Sequence, residues 1–175
     1  MRLRALLRSA IVTLYGLLLV GGATAASSTP PGQVGLEGAG GVRPGMTVAQ
    51  TQSRWSLRLR LDTTFGSQCQ SAELKTGATR GYVIFRGKRF AAVFYTRGAR
   101  TDTGIQIGSP VSALRRAYGS RLRSEPDKYE RGSLNYYVKR ARRPFWELRF
   151  DVSPRGRVDL IAFGDRYVHL VEGCA

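Results

Sequence analysis

At 175 residues and 42% hydrophobic content the chain is long enough for one ordinary core, and its 28 Lys and Arg against 12 Asp and Glu give a formal net charge of +16. One histidine and two cysteines exclude a Cys/His metal centre of the usual spacing, and exclude any histidine-based triad that does not use His169 as its base. The sequence has no Gly-x-Ser-x-Gly elbow and no phosphate loop ending in Gly-Lys-Ser/Thr.

The chain opens with Arg2, Arg4 and Arg8 and no acid, continues with a mainly apolar run from Ala10 to Val20, and reaches the small residues Gly21 to Ala25. That order is the order of a secretory signal, with cleavage expected after Ala25. An uncleaved membrane anchor is the alternative, because Arg8 to Ala26 approaches the roughly 20 residues a spanning helix needs. Tyr15, Gly16, Gly21 and Gly22 dilute the run and favour cleavage. No cysteine lies near the cleavage site to carry a lipid. Residues 26–40 are rich in Ser, Pro and Gly and are expected to be a flexible leader, because such a segment buries too little surface to offset its ordering entropy.

Three of the 28 basic residues fall in the signal, leaving 25 against 12 acids, a net +13 for the mature chain. That charge favours acidic partners, although a genome rich in G and C would produce the same arginine bias without any ligand.

The segment Gly41-Val42-Arg43-Pro44-Gly45-Met46-Thr47-Val48 aligns without gaps with Gly104-Ile105-Gln106-Ile107-Gly108-Ser109-Pro110-Val111, and the register continues to Trp55 opposite Tyr118. Each copy is expected to start a helix. Thr47 and Gln50 form a capping box in the first; Ser109 caps the second, with Pro110 at its first helical position. Val48, Thr51 and Trp55 share one face, as do Val111, Leu114 and Tyr118, with Arg115 and Arg116 turned mostly away and Gly119 ending the second helix.

After each helix the period becomes two. Tyr82 to Phe85, the turn Arg86-Gly87-Lys88-Arg89 and Phe90 to Tyr95 read as a hairpin. Leu134 to Val138 leads through the basic turn Lys139-Arg140-Ala141-Arg142-Arg143 to Trp146, Leu148, Phe150 and Val152, which alternate with Glu147, Arg149 and Asp151 as a half-buried strand. Further strands are expected at Val158 to Phe163 and at Tyr167 to Val171, the last containing His169. The expected fold class is α+β: two tandem helix-plus-antiparallel-sheet repeats, 41–103 and 104–175, sharing one core.

Gly45-Met46-Thr47 with Gln50 resembles the Gly-Met-Thr-x-x-Gln opening of the SmpA/OmlA (BamE-like) outer-membrane assembly proteins, and a tandem of such units is similar to the β-lactamase inhibitor protein fold. The closing Val171-Glu172-Gly173-Cys174 resembles a group of uncharacterised exported bacterial proteins. Members of the first family in the outer-membrane assembly complex are lipoproteins, a feature this chain does not share.

Among residues able to do chemistry, Glu125, Asp127 and Glu130 lie in a segment with Pro126, Lys128, Arg131 and Gly132 that reads as a solvated loop, and a lone strand histidine reads as a packing or surface residue. The basic turn followed by Phe145 and Trp146 could hold a phosphate or an acidic polymer. The alternation already places Trp146 in the core, which favours a structural turn. An exported chain with two cysteines is expected to join Cys69 to Cys174.

The expectation is a non-enzymatic exported envelope protein, periplasmic or secreted, acting as a protein-binding or scaffold module. The alternatives are a secreted enzyme inhibitor and a binder of anionic envelope polymers through Arg115, Arg116, Arg140, Arg142 and Arg143. The expected partner is another envelope or secreted protein. No metal, cofactor, nucleic acid or stable membrane span in the mature form is expected.

Overall fold

Period-two alternation dominates the computed structural model, which describes residues 29–142, 145–170 and 174. The expected signal segment, Arg143 and the expected strand end at Val171 lie outside the described residues. Strands β1 (Gln33–Gly35), β2 (Gly38–Ala39), β3 (Cys69–Thr76), β4 (Thr79–Arg86), β5 (Arg89–Arg97), β6 (Arg100–Thr101), β7 (Leu122–Pro126), β8 (Leu134–Lys139), β9 (Glu147–Val152) and β10 (Val158–Gly164) are joined by helices α1 (Val48–Trp55) and α2 (Val111–Tyr118). Seven of the strands form one antiparallel sheet in the order β3-β4-β5-β10-β9-β8-β7, and β2-β1-β6 form a second, small sheet.

The expected α+β tandem of helix-plus-sheet repeats is therefore corrected to a mainly β chain with one continuous large sheet. Each helix is only eight residues long. The left-handed Ser56, at φ 50°, ends α1, and Gly119, at φ 54°, ends α2. Two strands that were not expected, β3 and β7, extend the sheet at both edges, and β5 pairs directly with β10 through Val93 with Phe163 and Tyr95 with Ile161, which joins the strands of the two expected repeats into one sheet.

The helix starts explain themselves at the level of single hydrogen bonds. Thr47 and Gln50 form the expected reciprocal capping box, with the Gln50 amide donating to Thr47 Oγ1 at 3.2 Å and the Thr47 amide to Gln50 Oε1 at 2.8 Å. In α2 the cap is Pro110 rather than Ser109. The Ser109 hydroxyl accepts the Gln106 amide at 3.0 Å, and the Val111 amide is satisfied from another element, donating to Gly156 O at 2.9 Å.

One sheet face carries the main core. Val83, Phe85, Phe90, Val93, Tyr95, Ile161, Phe163, Leu148 and Phe150 pack there against Trp55, Leu114 and Tyr118 of the helices. Trp55 meets Phe90 edge-on at 5.9 Å, and Trp146 meets Phe163 edge-on at 6.0 Å, which puts Trp146 in the core as its alternation implied. The opposite face buries Ile84, Ala92, Phe94 and Ala162 beneath Val168, in a 3-10 turn over Arg166–His169. Over its described part, Tyr167 to Leu170, the expected last strand is thus a short strap crossing the sheet. Asp165 breaks the strand by capping that turn, accepting the Tyr167 amide at 2.9 Å.

The leader is also corrected over its described part. Val34 and Ala39 are completely buried, as is Val42 just beyond the segment. Trp55 donates its indole N–H to Ala39 O at 2.8 Å, and the fully buried Tyr95 hydroxyl donates to Pro31 O. A few apolar residues suffice because two aromatic donors satisfy the backbone carbonyls they cover. Replacing Trp55 by Phe keeps a large ring but strands the Ala39 carbonyl. A loss of about 1–3 kcal/mol is expected, read from a urea midpoint; an unchanged midpoint would show that this bond does not hold the segment.

Cys69 and Cys174 are bonded, with Cα atoms 5.5 Å apart across 105 positions. Cys69 begins β3, so the bond ties the far side of the strap to the sheet edge. A bond of this kind marks a chain that folds in an oxidising compartment, outside the reducing cytosol. No helix among the described residues is long and apolar enough to cross a membrane.

Candidate functional site

The side chains most capable of chemistry gather on the strap face of the sheet. The register places Glu73, Tyr82, Phe94, Ala162, Arg149 and Tyr137 in one row across six strands. The polar half of β9, expected to face water, is covered: Glu147 and Arg149 are buried at 7% and 3% exposure. Arg149 donates to Asp151 through Nε at 2.6 Å and Nη2 at 2.9 Å, and to Val168 O of the strap through Nη1 at 3.0 Å. Burial works against the charged guanidinium, and the bidentate carboxylate more than offsets it. Burial likewise pushes the Asp151 carboxyl above its ordinary range, with the Arg149 hydrogen bonds pulling the other way.

His169 lies on the strap, not on a strand. Its ring stacks on Tyr137 at 4.5 Å, and Nε2 is 2.9 Å from Glu147 Oε2, whose other oxygen pairs with Lys139 at 3.2 Å. Tyr137 itself is pushed up by burial and by its hydrogen bond to Glu125. Asp127 is held below the usual carboxylate range because it accepts the Glu130 amide at 2.7 Å and the Tyr129 amide at 2.8 Å, and Asn135 Nδ2 at 3.1 Å. Of the acidic segment, Asp127 thus organises a turn, Glu130 accepts the Ser133 hydroxyl at 2.7 Å, and Glu125 stands on the exposed strand β7. These groups pair with one another and bind the strap and the β7–β8 turn in place.

Tyr167, at the start of the strap, lies under two guanidiniums, Arg86 at 5.0 Å and Arg166 at 5.3 Å from its ring. The Arg166 hydrogen bond, followed by the field of Arg86, holds its phenol below the ordinary value, while burial raises Tyr82 and Tyr95. In an alkaline ultraviolet titration Tyr167 is expected to ionise before Tyr82, Tyr95 and Tyr137. The variant Tyr167→Phe is expected to lose part of the absorbance change at the low-pH end of the titration, and an unchanged low-pH end would refute the assignment.

The predicted basic residues do not form one described cluster. Arg115 and Arg116 are exposed on α2; Arg115 donates to the Tyr136 hydroxyl at 3.1 Å, and Arg116 lines a shallow cleft with Thr103, Ser109 and Ala113. Arg140 forms a two-pronged pair with Glu37, at 2.8 and 2.7 Å, and lies 5.0 Å above the Trp146 ring. That pair pulls the Glu37 carboxyl down and fastens the small sheet to the β8–β9 hairpin. Arg142 is exposed near the same carboxylate, and Arg143 lies outside the described residues.

A different place presents unused hydrogen-bonding capacity. The two-residue turn Gly77-Ala78 closes on the pair Thr76–Thr79, so Leu74, Ala72 and Gln70 bond to β4, and Ser71, Glu73 and Lys75 direct their amides and carbonyls out of the sheet. Ser71 exchanges both backbone bonds with Asp62, at 2.7 and 3.2 Å. Among the described residues, Glu73 and Lys75 find no such backbone partner. Their edge opens onto a groove of about 220 Å³ lined by Leu57, Arg58, Arg60, Glu73 and Lys75. The sequence signal was present in Leu57-Arg58-Leu59-Arg60-Leu61, whose burial alternates with the period of extended chain.

No family model matches the chain, and no curated protein matches it. Among solved structures, the crystal structure of a cysteine-rich secretory protein from Staphylococcus aureus subsp. aureus Mu50 is similar over 81% of this chain, with 10% identity and a TM-score of 0.46. The match covers 50% of that protein, so this chain spans about half its length. A likeness of that degree carries no argument about function.

Proposed function

We propose that the chain is a non-enzymatic exported binding domain, periplasmic or secreted, that engages a protein partner by adding one of its strands to the edge of β3. The observation that carries this reading is the pair of outward-facing peptide units at Glu73 and Lys75, which bond to no described backbone. An open edge of this kind is a template for a fourth-party strand, with backbone bonds supplying affinity and flanking side chains selecting the partner. Asp151 and Glu147 are paired within the fold with Arg149 and His169, and the Glu73 carboxylate stands at the proposed docking edge. An inhibitor would be the special case in which the partner is an enzyme. Because Arg140 is tied to Glu37 and Trp146, its geometry favours a protein partner over an anionic polymer.

The test is capture from an envelope extract by the immobilised mature chain, with two variants of one residue. Lys75→Pro removes an N–H that makes no bond within the sheet, and Lys75→Ala removes only the side chain. A saturable protein complex is expected with the parent and Lys75→Ala, and none with Lys75→Pro. Retention of anionic polymers alone, or equal capture by all three, would refute the reading.

A further inference from the structure

The reading of β3 as a docking edge says nothing of what docks, and the groove beside it narrows the chemistry. Its lining sets three cations, Arg58, Arg60 and Lys75, against the single carboxylate of Glu73. Arg58 and Arg60 are exposed, and each is flanked by leucines packed against the main core. Alternate residues of extended chain stand about 6–7 Å apart on one side, so the two guanidiniums repeat with the same period as alternate side chains of an incoming strand.

Resting on the docking role proposed above, we infer that the β3 groove takes an extended peptide segment with acidic residues at alternate positions. Its backbone bonds to the Glu73 and Lys75 peptide units, and its carboxylates meet Arg58 and Arg60. A second copy of this chain is disfavoured as the occupant. It would bring Arg58 and Arg60 of both molecules together, and a mature charge of +13 adds repulsion between copies. Basic or neutral strands could satisfy the same backbone groups, but would leave two guanidiniums facing no counter-charge. An acidic alternating strand satisfies both sets at once.

The probe is the peptide acetyl-Thr-Glu-Val-Glu-Val-Glu-Thr-amide, titrated calorimetrically into the full mature protein at low salt, beside a counterpart with lysine in place of glutamate. Two further versions carry N-methyl groups on alternate amides, one in each phase. In a strand, alternate amides point to opposite sides, so one methylated phase is expected to abolish binding and the other to leave it nearly unchanged. Arg58→Glu with Arg60→Glu is expected to weaken binding by about tenfold or more, and Glu73→Lys to strengthen it. All three sites are exposed, and retention of the wild-type thermal transition confirms that the variants fold.

Equal effects of the two methylated phases, or equal binding of the lysine peptide, would overturn the inference, because both would show attraction without strand pairing. Failure of the acidic peptide, alongside a captured envelope partner sensitive to Lys75→Pro, would overturn the acidic specificity and leave the docking edge standing. Failure of both would remove the docking edge as well.

Discussion

Breaking the Cys69–Cys174 bond is expected to lower the stability of the protein by about 4–5 kcal/mol, a large share of what a domain of this size commonly possesses. The bond closes a loop of 105 positions, so its removal restores much chain entropy to the unfolded state. A native-state effect adds to this. The strap from Asp165 to Leu170 buries Val168 over Phe94 and Ala162, and the bond holds the chain beyond it against Cys69 at the sheet edge. The measurement is a denaturant titration of Cys69→Ser/Cys174→Ser against the parent, followed by fluorescence. A difference below about 1 kcal/mol would show that the strap and sheet hold without the covalent tie.

The second large effect is expected from Arg149→Met. The guanidinium is 3% exposed and donates to both oxygens of Asp151 and to the Val168 carbonyl, so its removal leaves a carboxylate and a strap carbonyl without their donor. Breaking one half of a buried ion pair in this way costs about 3–5 kcal/mol at neutral pH. The loss carries a pH signature whose sign follows from the carboxyl. Burial already raises Asp151, and without Arg149 nothing opposes that rise, so the folded variant holds a proton that the unfolded chain has released. Its deficit therefore grows as pH rises from about 4 through the folded-state value of Asp151, and shrinks again toward pH 4. Adding Asp151→Leu to Arg149→Met is expected to recover much of the loss, since two apolar groups replace the pair. Denaturant midpoints at several pH values decide this, and a deficit independent of pH would show that packing rather than the orphaned carboxylate dominates.

What the sequence made legible was local. Thr47 with Gln50 specifies a capping box by spacing alone, the Arg86 to Arg89 hairpin by its turn residues, and the Trp146, Leu148, Phe150 side of β9 by alternation; all three are present. Strand β3 was not legible, because Gln70, Ser71, Glu73 and Lys75 weaken its apolar alternation while Gln70 is nevertheless buried. Glu147 and Arg149 looked solvent-facing for a similar reason. What covers them is a segment some twenty residues downstream, and a one-strand pattern holds no trace of it. The same limit applies to the basic turn: Arg140 is committed to Glu37 across 103 positions, a pairing invisible to any local window. The bare edge of β3 could be anticipated only in part, since alternation in Leu57 to Leu61 signals extended chain but not the gap between it and β3.

The order of strands has a consequence for how the molecule comes into being. Strand β10 is among the last parts of the sheet to be synthesised, yet it lies in the interior, between β5 and β9. Until it arrives, β3-β4-β5 and β9-β8-β7 are separate ribbons, each with a raw inner border, and the chain between β5 and β10 must be looped before they can join. Closure of the large sheet therefore waits for β10, the last of its strands in chain order. The same arrangement makes truncation unforgiving: a product ending before Val158 would leave β5 and β9 bordering an empty slot, inviting the strand of a neighbouring molecule to fill it.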